Sequence, residues 1–345
     1  MNIVVSGISF RTTPVEIREK LCFNDIEELK KALAGIRNIP SVNECVLLST
    51  CNRTEVYICS EKEAFDFGLV ERTLCELKGL DVCSMKKYFY AYAGQSAVKH
   101  IFKVASAMDS MIMGEDQILG QFKEALKISI EMSASSAVLN TLLRKAITAS
   151  KIIKTYSMNT TDNSSIASAT ARLIGDIFKE NLKEKNVLVI GSGKIGSMVI
   201  KQLGDAGVKK IFISYRKYKN IDIPEYVEPV EYDKRYSIMK LCDIVISSTR
   251  SPHYTITRDM LEKSMNTSGT CKVFIDLAVP RDIDPDISNI ENVRYFNIDD
   301  FKYLYDVKLS GKLSDLPFIE DVISKNIEEF KKWYRIRKFF SRRNC

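Results

Sequence analysis

Residues 49–55, Ser-Thr-Cys-Asn-Arg-Thr-Glu, set a thiol and a guanidinium two positions apart between two apolar runs, "CVLL" and "VYIC". A structural cysteine belongs inside an apolar run, where it acts as a small hydrophobe. Cys45 and Cys59 lie in such runs and are expected in the core. Cys51 stands among turn-forming polar residues instead, where a chain shows a side chain to a ligand. It could be a nucleophile, a metal ligand or a residue without chemistry. The nine cysteines (22, 45, 51, 59, 75, 83, 242, 271 and 345) are odd in number and form no Cys-x-x-Cys pair. That pattern disfavours a disulfide framework and a zinc ribbon, and two histidines supply few further metal ligands.

A second stretch with chemistry is "NVLVIGSGKIGSMVIKQLGDAGVKKIFISYRK" at 186–217. Gly191, Ser192, Gly193, Lys194, Ile195 and Gly196 spell G-x-G-x-x-G after an apolar strand and at the opening of a helix. The first glycine permits the turn, the second lets a pyrophosphate approach the backbone, and the third packs helix on strand. The pyrophosphate would rest on the helix N-terminus. An NAD site usually carries an acid at the end of the second strand. Here Ser214, Tyr215, Arg216 and Lys217 stand there, which suits a 2′-phosphate, so the cofactor is read as NADP(H). A nicotinamide cofactor with a turn-exposed cysteine suggests reduction through a thioester. A thiolate attacks an activated carboxyl, expels the leaving group and leaves an acyl-enzyme for a hydride to reduce. Arg53 would favour the thiolate or hold a substrate carboxylate.

The elements that must position these residues can be read coarsely. Residues 1–60 contain a strand (Ile3–Ile8), a helix (about Asp25–Ile36) and the strand pair around Cys51. From Ala97 to about Lys154 apolar residues recur at helical spacing, interrupted by the polar patch "GEDQILGQ" at 114–121. "SMNTTDNSS" at 157–165 looks like a linker, and a helix is expected at Ile166–Lys179. "NVLVIG", "KKIFISY", "CDIVISS" and "CKVFIDL" then alternate with helices, which implies a parallel sheet. A final helix carries Ile319, Ile323, Ile327, Phe330 and Tyr334 on one face, which something must cover. The fold class is therefore α/β multidomain: an α+β catalytic domain at 1–157, a Rossmann-type NADPH-binding domain at 158–300, and a helical segment at 301–345.

The 345 residues are 45% hydrophobic and 28% charged, as in a soluble protein, and no apolar run is long enough to span a bilayer. "MNIVVSGISF" reads as a strand rather than a signal peptide, so a cytoplasmic location is expected. The net charge of +7 favours an anionic partner without naming one.

These residues resemble one family, the glutamyl-tRNA reductases. "LLSTCNRTEVY" is similar to its nucleophile motif, and "VKHIFKVASAMDSMIMGEDQILGQFKEA" to its second signature. "TPVEIREKL", "DIVISSTRSPH" and "IDLAVPRDIDP" match further blocks, so the likeness runs from residue 1 to about 334. The resemblance implies reduction of glutamyl-tRNA to glutamate-1-semialdehyde with NADPH, the first step of five-carbon tetrapyrrole synthesis. It implies Cys51 as nucleophile and His100 near the ester, assisting proton transfer to the departing ribose oxygen. It implies a glutamate pocket lined by Thr50, Asn52, Arg53, Ser110, Glu115, Asp116, Gln117 and Gln121. Chemistry suggests Arg53 for the γ-carboxylate and Glu115 for the ammonium. His253 would shape a loop near the nicotinamide. Passage of the aldehyde to glutamate-1-semialdehyde aminotransferase is a family-level expectation.

The chain departs from the family pattern in four places. Phe10 replaces a usual histidine, "KIIKT" at 151–155 keeps two charges of a more basic stretch, and "GED" adds Asp116 to the pocket edge. The sequence stops shortly after Trp333, where family members generally continue into a helical dimerisation domain, so a homodimer is left open. The basic residues around Arg335 and Lys338 would touch tRNA phosphates or be a solvated helix end. Two rival readings remain. One is a shikimate-dehydrogenase-like domain alone, which leaves "STCNRTE" without purpose. The other is an idle, NADPH-sensing tRNA-binding scaffold, which the retained Cys51, Arg53 and glycines oppose.

Overall fold

The computed structural model describes residues 1–109, 116–157, 166–215, 224–249, 251–264, 271–301 and 316–341. The chain divides into two units, Met1–Asp162 with Leu304–Cys345, and Asn163–Tyr303. The linker expected at 157–165 lies almost wholly outside the described residues. Among those residues no helix is long and apolar enough to cross a membrane.

The first unit is built on a four-stranded sheet of β1 (Ile3–Ser9), β2 (Val42–Ser49), β3 (Arg53–Ser60) and β4 (Tyr90–Ala93). Its order is β2-β3-β1-β4 and each neighbouring pair is antiparallel. Side chains alternate faces along a strand. Val56 and Ile58 of β3 accordingly pack with Leu33, Ile36 and Leu74 from helices Ile26–Arg37 and Phe67–Leu77. Tyr57 and Cys59 enter the opposite cluster, with residues of helices Gly94–Ala105, Asp116–Glu131 and Ala137–Ser157. Every residue of β3 is buried. Arg53 and Glu55, on the Tyr57 face, must therefore find their partners inside the protein, because an unpaired buried charge is costly.

The helix Leu316–Ser341 lays Ile319, Val322, Ile323, Ile327 and Phe330 into the cluster that holds Leu139, Leu142 and Ala146. The apolar face read from the sequence is thus covered within its own unit. Each such side chain contributes about 1.5–3 kcal/mol by leaving water. The helix Ala137–Ser157 starts on a carboxylate from β2. Glu44 accepts from Val138 N at 3.0 Å, Leu139 N at 2.7 Å and Ser136 Oγ at 2.6 Å. An anion at that end also meets the favourable pole of the helix dipole.

The second unit carries β5 (Asn186–Ile190), β6 (Lys210–Tyr215), β7 (Val227–Glu231), β8 (Ile244–Ser247), β9 (Lys272–Asp276) and β10 (Val293–Asn297). The order is β10-β9-β8-β5-β6-β7, and all neighbours run parallel. The sheet reverses direction of growth between β5 and β8, the topological switch point at which such folds bind ligands. The four continuous apolar runs became the inner strands, as their sequence implies for strands buried on both faces. β7 and β10 are the edges and escaped the sequence reading, as did β4. β7 holds Pro229, which an edge tolerates because one side needs no ladder bond.

Candidate active site

The hairpin that joins β2 to β3 presents Cys51. Thr50 N donates to Arg53 O at 2.8 Å, and the Thr50 hydroxyl accepts from Asn52 N at 3.2 Å and Arg53 N at 3.1 Å. Asn52 O accepts from Phe10 N at 2.8 Å, so the following turn is tied to β1. Arg18, itself buried, donates through Nε to Cys51 O at 3.2 Å and through Nη1 to Thr13 O at 2.8 Å. Thr50, Asn52 and Arg53 are all buried while Cys51 is half-exposed. Burial pushes the thiols of Cys45 and Cys59 up to about 12, so these two are inert, and both sit in the core as their sequence context implied.

Below the hairpin, Glu55 gathers the charges. Arg53 Nη1 lies 2.6 Å from its Oε1 and His100 Nε2 2.8 Å from the same oxygen. The Tyr57 hydroxyl donates to Oε2 at 2.7 Å, and the Tyr90 hydroxyl donates to Oε1. Burial alone would raise this carboxyl, but Arg53 and then His100 outweigh it and hold it well below the usual carboxylate range. The same burial, with the Glu55 charge, drives both tyrosines upward, so they remain donors. The other edge of the guanidinium meets Asp109, with Nη2 3.1 Å from Oδ2, and Asp109 also pairs with Arg11 Nε at 2.6 Å. Gly7 makes this possible: a Cβ there would stand 2.7 Å from Glu55 Cα and 2.3 Å from Thr54 O.

The glycine turn of the second unit is formed by backbone. Gly191 has φ +108°, a conformation that favours glycine, and its N–H donates to Ser214 O at 3.0 Å. A Cβ on Gly196 would lie 2.1 Å from Gly191 O, so the helix Lys194–Asp205 can pack here only as it does. A Cβ on Gly193 would meet nothing, and Gly193 and Lys194 are exposed at the helix N-terminus. Open ground over free N–H groups fits the pyrophosphate of a dinucleotide. Ser192 and Ile195 are half-buried.

Near the carboxyl ends of β8 and β9 two further acids are buried. Asp282 accepts from Ser247 Oγ at 2.7 Å, Thr249 N at 2.6 Å and Thr249 Oγ1 at 2.5 Å. Asp276 accepts from Ala278 N at 3.0 Å and Ile283 N at 2.8 Å. Burial raises both carboxyls, and the Asp282 charge raises Asp276 further.

Several residues singled out in the sequence come together and others do not. Arg53 and His100 share the Glu55 carboxylate, directly behind the Cys51 hairpin. The Arg53 guanidinium is fully buried and engaged with Glu55 and Asp109, which differs from the open clamp for a substrate carboxylate expected from its chemistry. The cause is β3 being covered on both faces. Ser214 is also fully buried, its main-chain oxygen taken by Gly191. Gln121 is half-exposed on the helix Asp116–Glu131. Ser110, Glu115, Arg216 and Lys217 lie outside the described residues, as do the side chains of Asp116 and Gln117. His253 N donates to Ser251 Oγ at 3.3 Å in an exposed turn. Glu55, Tyr57, Tyr90, Asp109 and Arg18 were missed. For the first two a signal existed, since Arg53, Glu55 and Tyr57 follow the period of two that puts them on one strand face.

Comparison with known proteins gives the family to which the chain is similar. The family described as "Glutamyl-tRNAGlu reductase, N-terminal domain" matches residues 6–157, and "Shikimate / quinate 5-dehydrogenase" matches 172–304. A glutamyl-tRNA reductase of Carboxydothermus hydrogenoformans is 37% identical over 339 residues, covering 97% of this chain and 75% of that protein. One of Clostridium novyi is 35% identical over 345 residues, covering 98% and 81%. Among solved structures, the glutamyl-tRNA reductase of Methanopyrus kandleri is 26% identical with a TM-score of 0.50, covering 99% of this chain and 82% of that one.

Proposed function

This chain belongs to the glutamyl-tRNA reductase family, and on that premise we propose that it reduces the glutamyl group of glutamyl-tRNA to glutamate-1-semialdehyde with NADPH, releasing tRNA, as the first step of tetrapyrrole synthesis. The observation that carries the reading is the hairpin at Cys51, a half-exposed thiol in a turn whose neighbours are buried and hydrogen-bonded. The Cys51 thiolate attacks the ester carbonyl; a C–S bond forms and the bond to the ribose oxygen breaks. That oxygen leaves with the electron pair and takes a proton, a step His100 assists while Glu55 fixes its ring. Arg53 acts through Glu55, as a brace for the hairpin. Thr50, Asn52, Ser110, Glu115, Asp116, Gln117 and Gln121 receive the glutamyl group.

The second unit binds the nicotinamide cofactor on Gly191–Gly196, with Arg216 and Lys217 selecting the 2′-phosphate. NADPH, when bound, supplies the hydride that releases the acyl group as aldehyde. The reaction belongs in the cytoplasm, and its aldehyde product passes to glutamate-1-semialdehyde aminotransferase. A single-turnover assay tests the reading. NADPH consumption should require glutamyl-tRNA and match the aldehyde formed mole for mole, with NADH at least about tenfold poorer in kcat/KM, a 1.4 kcal/mol preference. Cofactor oxidation without glutamyl-tRNA, or a preference for NADH, would overturn it.

A further inference from the structure

Tyr92 stands on β4, an edge strand, and is 38% exposed although its ring packs on two residues, Tyr90 and His100, that bond the buried Glu55. It stacks on the His100 imidazole with centroids 4.6 Å apart and planes at 28°. Tyr90 meets both rings, at 5.5 Å from Tyr92 and edge-on at 5.7 Å from His100. Tyr90 and His100 are pinned to Glu55, and Glu55 to Arg53 at the foot of the Cys51 hairpin. The Tyr92 hydroxyl has no such anchor among the described residues, and no step of the chemistry uses the ring.

Two cations stand on the helix that carries His100, its stacking partner. Lys99 precedes His100 on the helix Gly94–Ala105 and is exposed; Lys103 lies one turn further along, on the His100 side, and is half-buried. Neither has an acidic partner among the described residues. An exposed aromatic face with lysines on the helix packed against it is a pattern on which single-stranded nucleic acid binds, bases stacking on rings and phosphates meeting ammonium groups. An amino acid carried by tRNA is esterified to the ribose of the terminal adenosine. A hairpin that receives the ester therefore needs a place for that base nearby.

We propose that Tyr92 is that place: the terminal adenine of the acylated RNA stacks on its outer face, with Lys99 and Lys103 beside the preceding phosphates. This rests on the function proposed above, and it assigns a base-binding subsite distinct from the glutamyl pocket. Stacking of one base contributes about 1–3 kcal/mol, so Tyr92→Ala should raise KM for glutamyl-tRNA roughly tenfold. The loss should fall on KM more than on kcat. Tyr92→Phe, which keeps the face and loses only the hydroxyl, should restore the wild-type KM.

The direct test uses tRNA with 2-aminopurine in place of the terminal adenine, and follows total binding by anisotropy and the terminal base by its own fluorescence. Bound tRNA should show quenching of 2-aminopurine with the wild type and with Tyr92→Phe, and none with Tyr92→Ala. Quenching equal in Tyr92→Ala and wild type, or bound tRNA whose terminal base is unquenched by the wild type, would overturn the subsite alone. A wild-type protein that binds no tRNA at all would overturn the reductase reading with it. A purely structural role for Tyr92, as a lid over His100, would lower kcat in Tyr92→Ala without touching the quenching, and that too would overturn the proposal.

Discussion

The two units build their candidate sites from opposite materials. Behind Cys51 the machinery is side chain: a carboxylate, a guanidinium, an imidazole and two phenols buried against one another. In the glycine turn it is main chain, with side chains removed so that helix, strand and ligand can approach. A site of the first kind is inseparable from the stability of its unit, since each charge is tolerable only while its partner is present. A site of the second kind can lose its ligand with little effect on folding, or fail by a single added carbon.

The largest effect should come from breaking the buried set. Glu55→Leu leaves Arg53 and His100 without their shared acceptor and should cost about 3–5 kcal/mol. Trp333, the single tryptophan, packs against the core of the same unit and reports this by fluorescence in urea. Arg53→Met added to Glu55→Leu should recover most of that stability and no activity, whereas recovery of activity would show that the pair serves folding alone. Next in size, Gly196→Ala should strain the turn by about 1–3 kcal/mol and weaken NADPH binding, because its Cβ meets Gly191 O at 2.1 Å. Gly193→Ala should fold as the wild type and still bind NADPH at least about tenfold more weakly, 1.4 kcal/mol by calorimetry. Equal binding by that variant would mean that no ligand approaches there.

The units should also answer pH in opposite senses. The folded Glu55 carboxyl is depressed, so its contribution is complete above the unfolded value of about 4.3 and is lost as pH falls toward the folded value. Asp276 and Asp282 are raised, so the native state holds protons that the unfolded chain releases above about 3.9. Stability around them should decline as pH rises from there through their folded values. Hydrogen-exchange protection of β3 and β9 across acidic to neutral pH should show the two slopes; parallel slopes would remove the contrast. The smallest effect should follow Glu44→Gln, which weakens a helix start at a cost of about 1 kcal/mol, measured as a shift in the urea midpoint.

The same contrast decides what the sequence could reveal. The glycine turn lies within six residues, with a local steric reason for Gly191 and Gly196 and open ground at Gly193, so strand, turn, helix and cofactor class were all readable. The parallel inner strands were readable for the same local cause, as four apolar runs. The Cys51 turn was visible because polar residues interrupt an apolar context. Its support was not. Glu55 draws its partners from Tyr90 and His100, 35 and 45 residues away, and Arg53 meets Asp109 at a separation of 56. Only the sheet order β2-β3-β1-β4 and the helix after β4 bring them together. Arg53 therefore looked like an open clamp from composition, and becomes an internal brace once both faces of β3 are covered. Arg18 and the Asp276–Asp282 cluster were unreadable for the same reason, since their partners lie across loops and strand ends.

The central claim is that Cys51 takes the glutamyl group as a thioester, and intact mass spectrometry tests it most directly. The protein is incubated with glutamyl-tRNA in the absence of NADPH. The account predicts one glutamyl adduct on Cys51, absent from Cys51→Ser and discharged as aldehyde when NADPH is added. Folded, NADPH-binding protein that forms no adduct and transfers no hydride would contradict it.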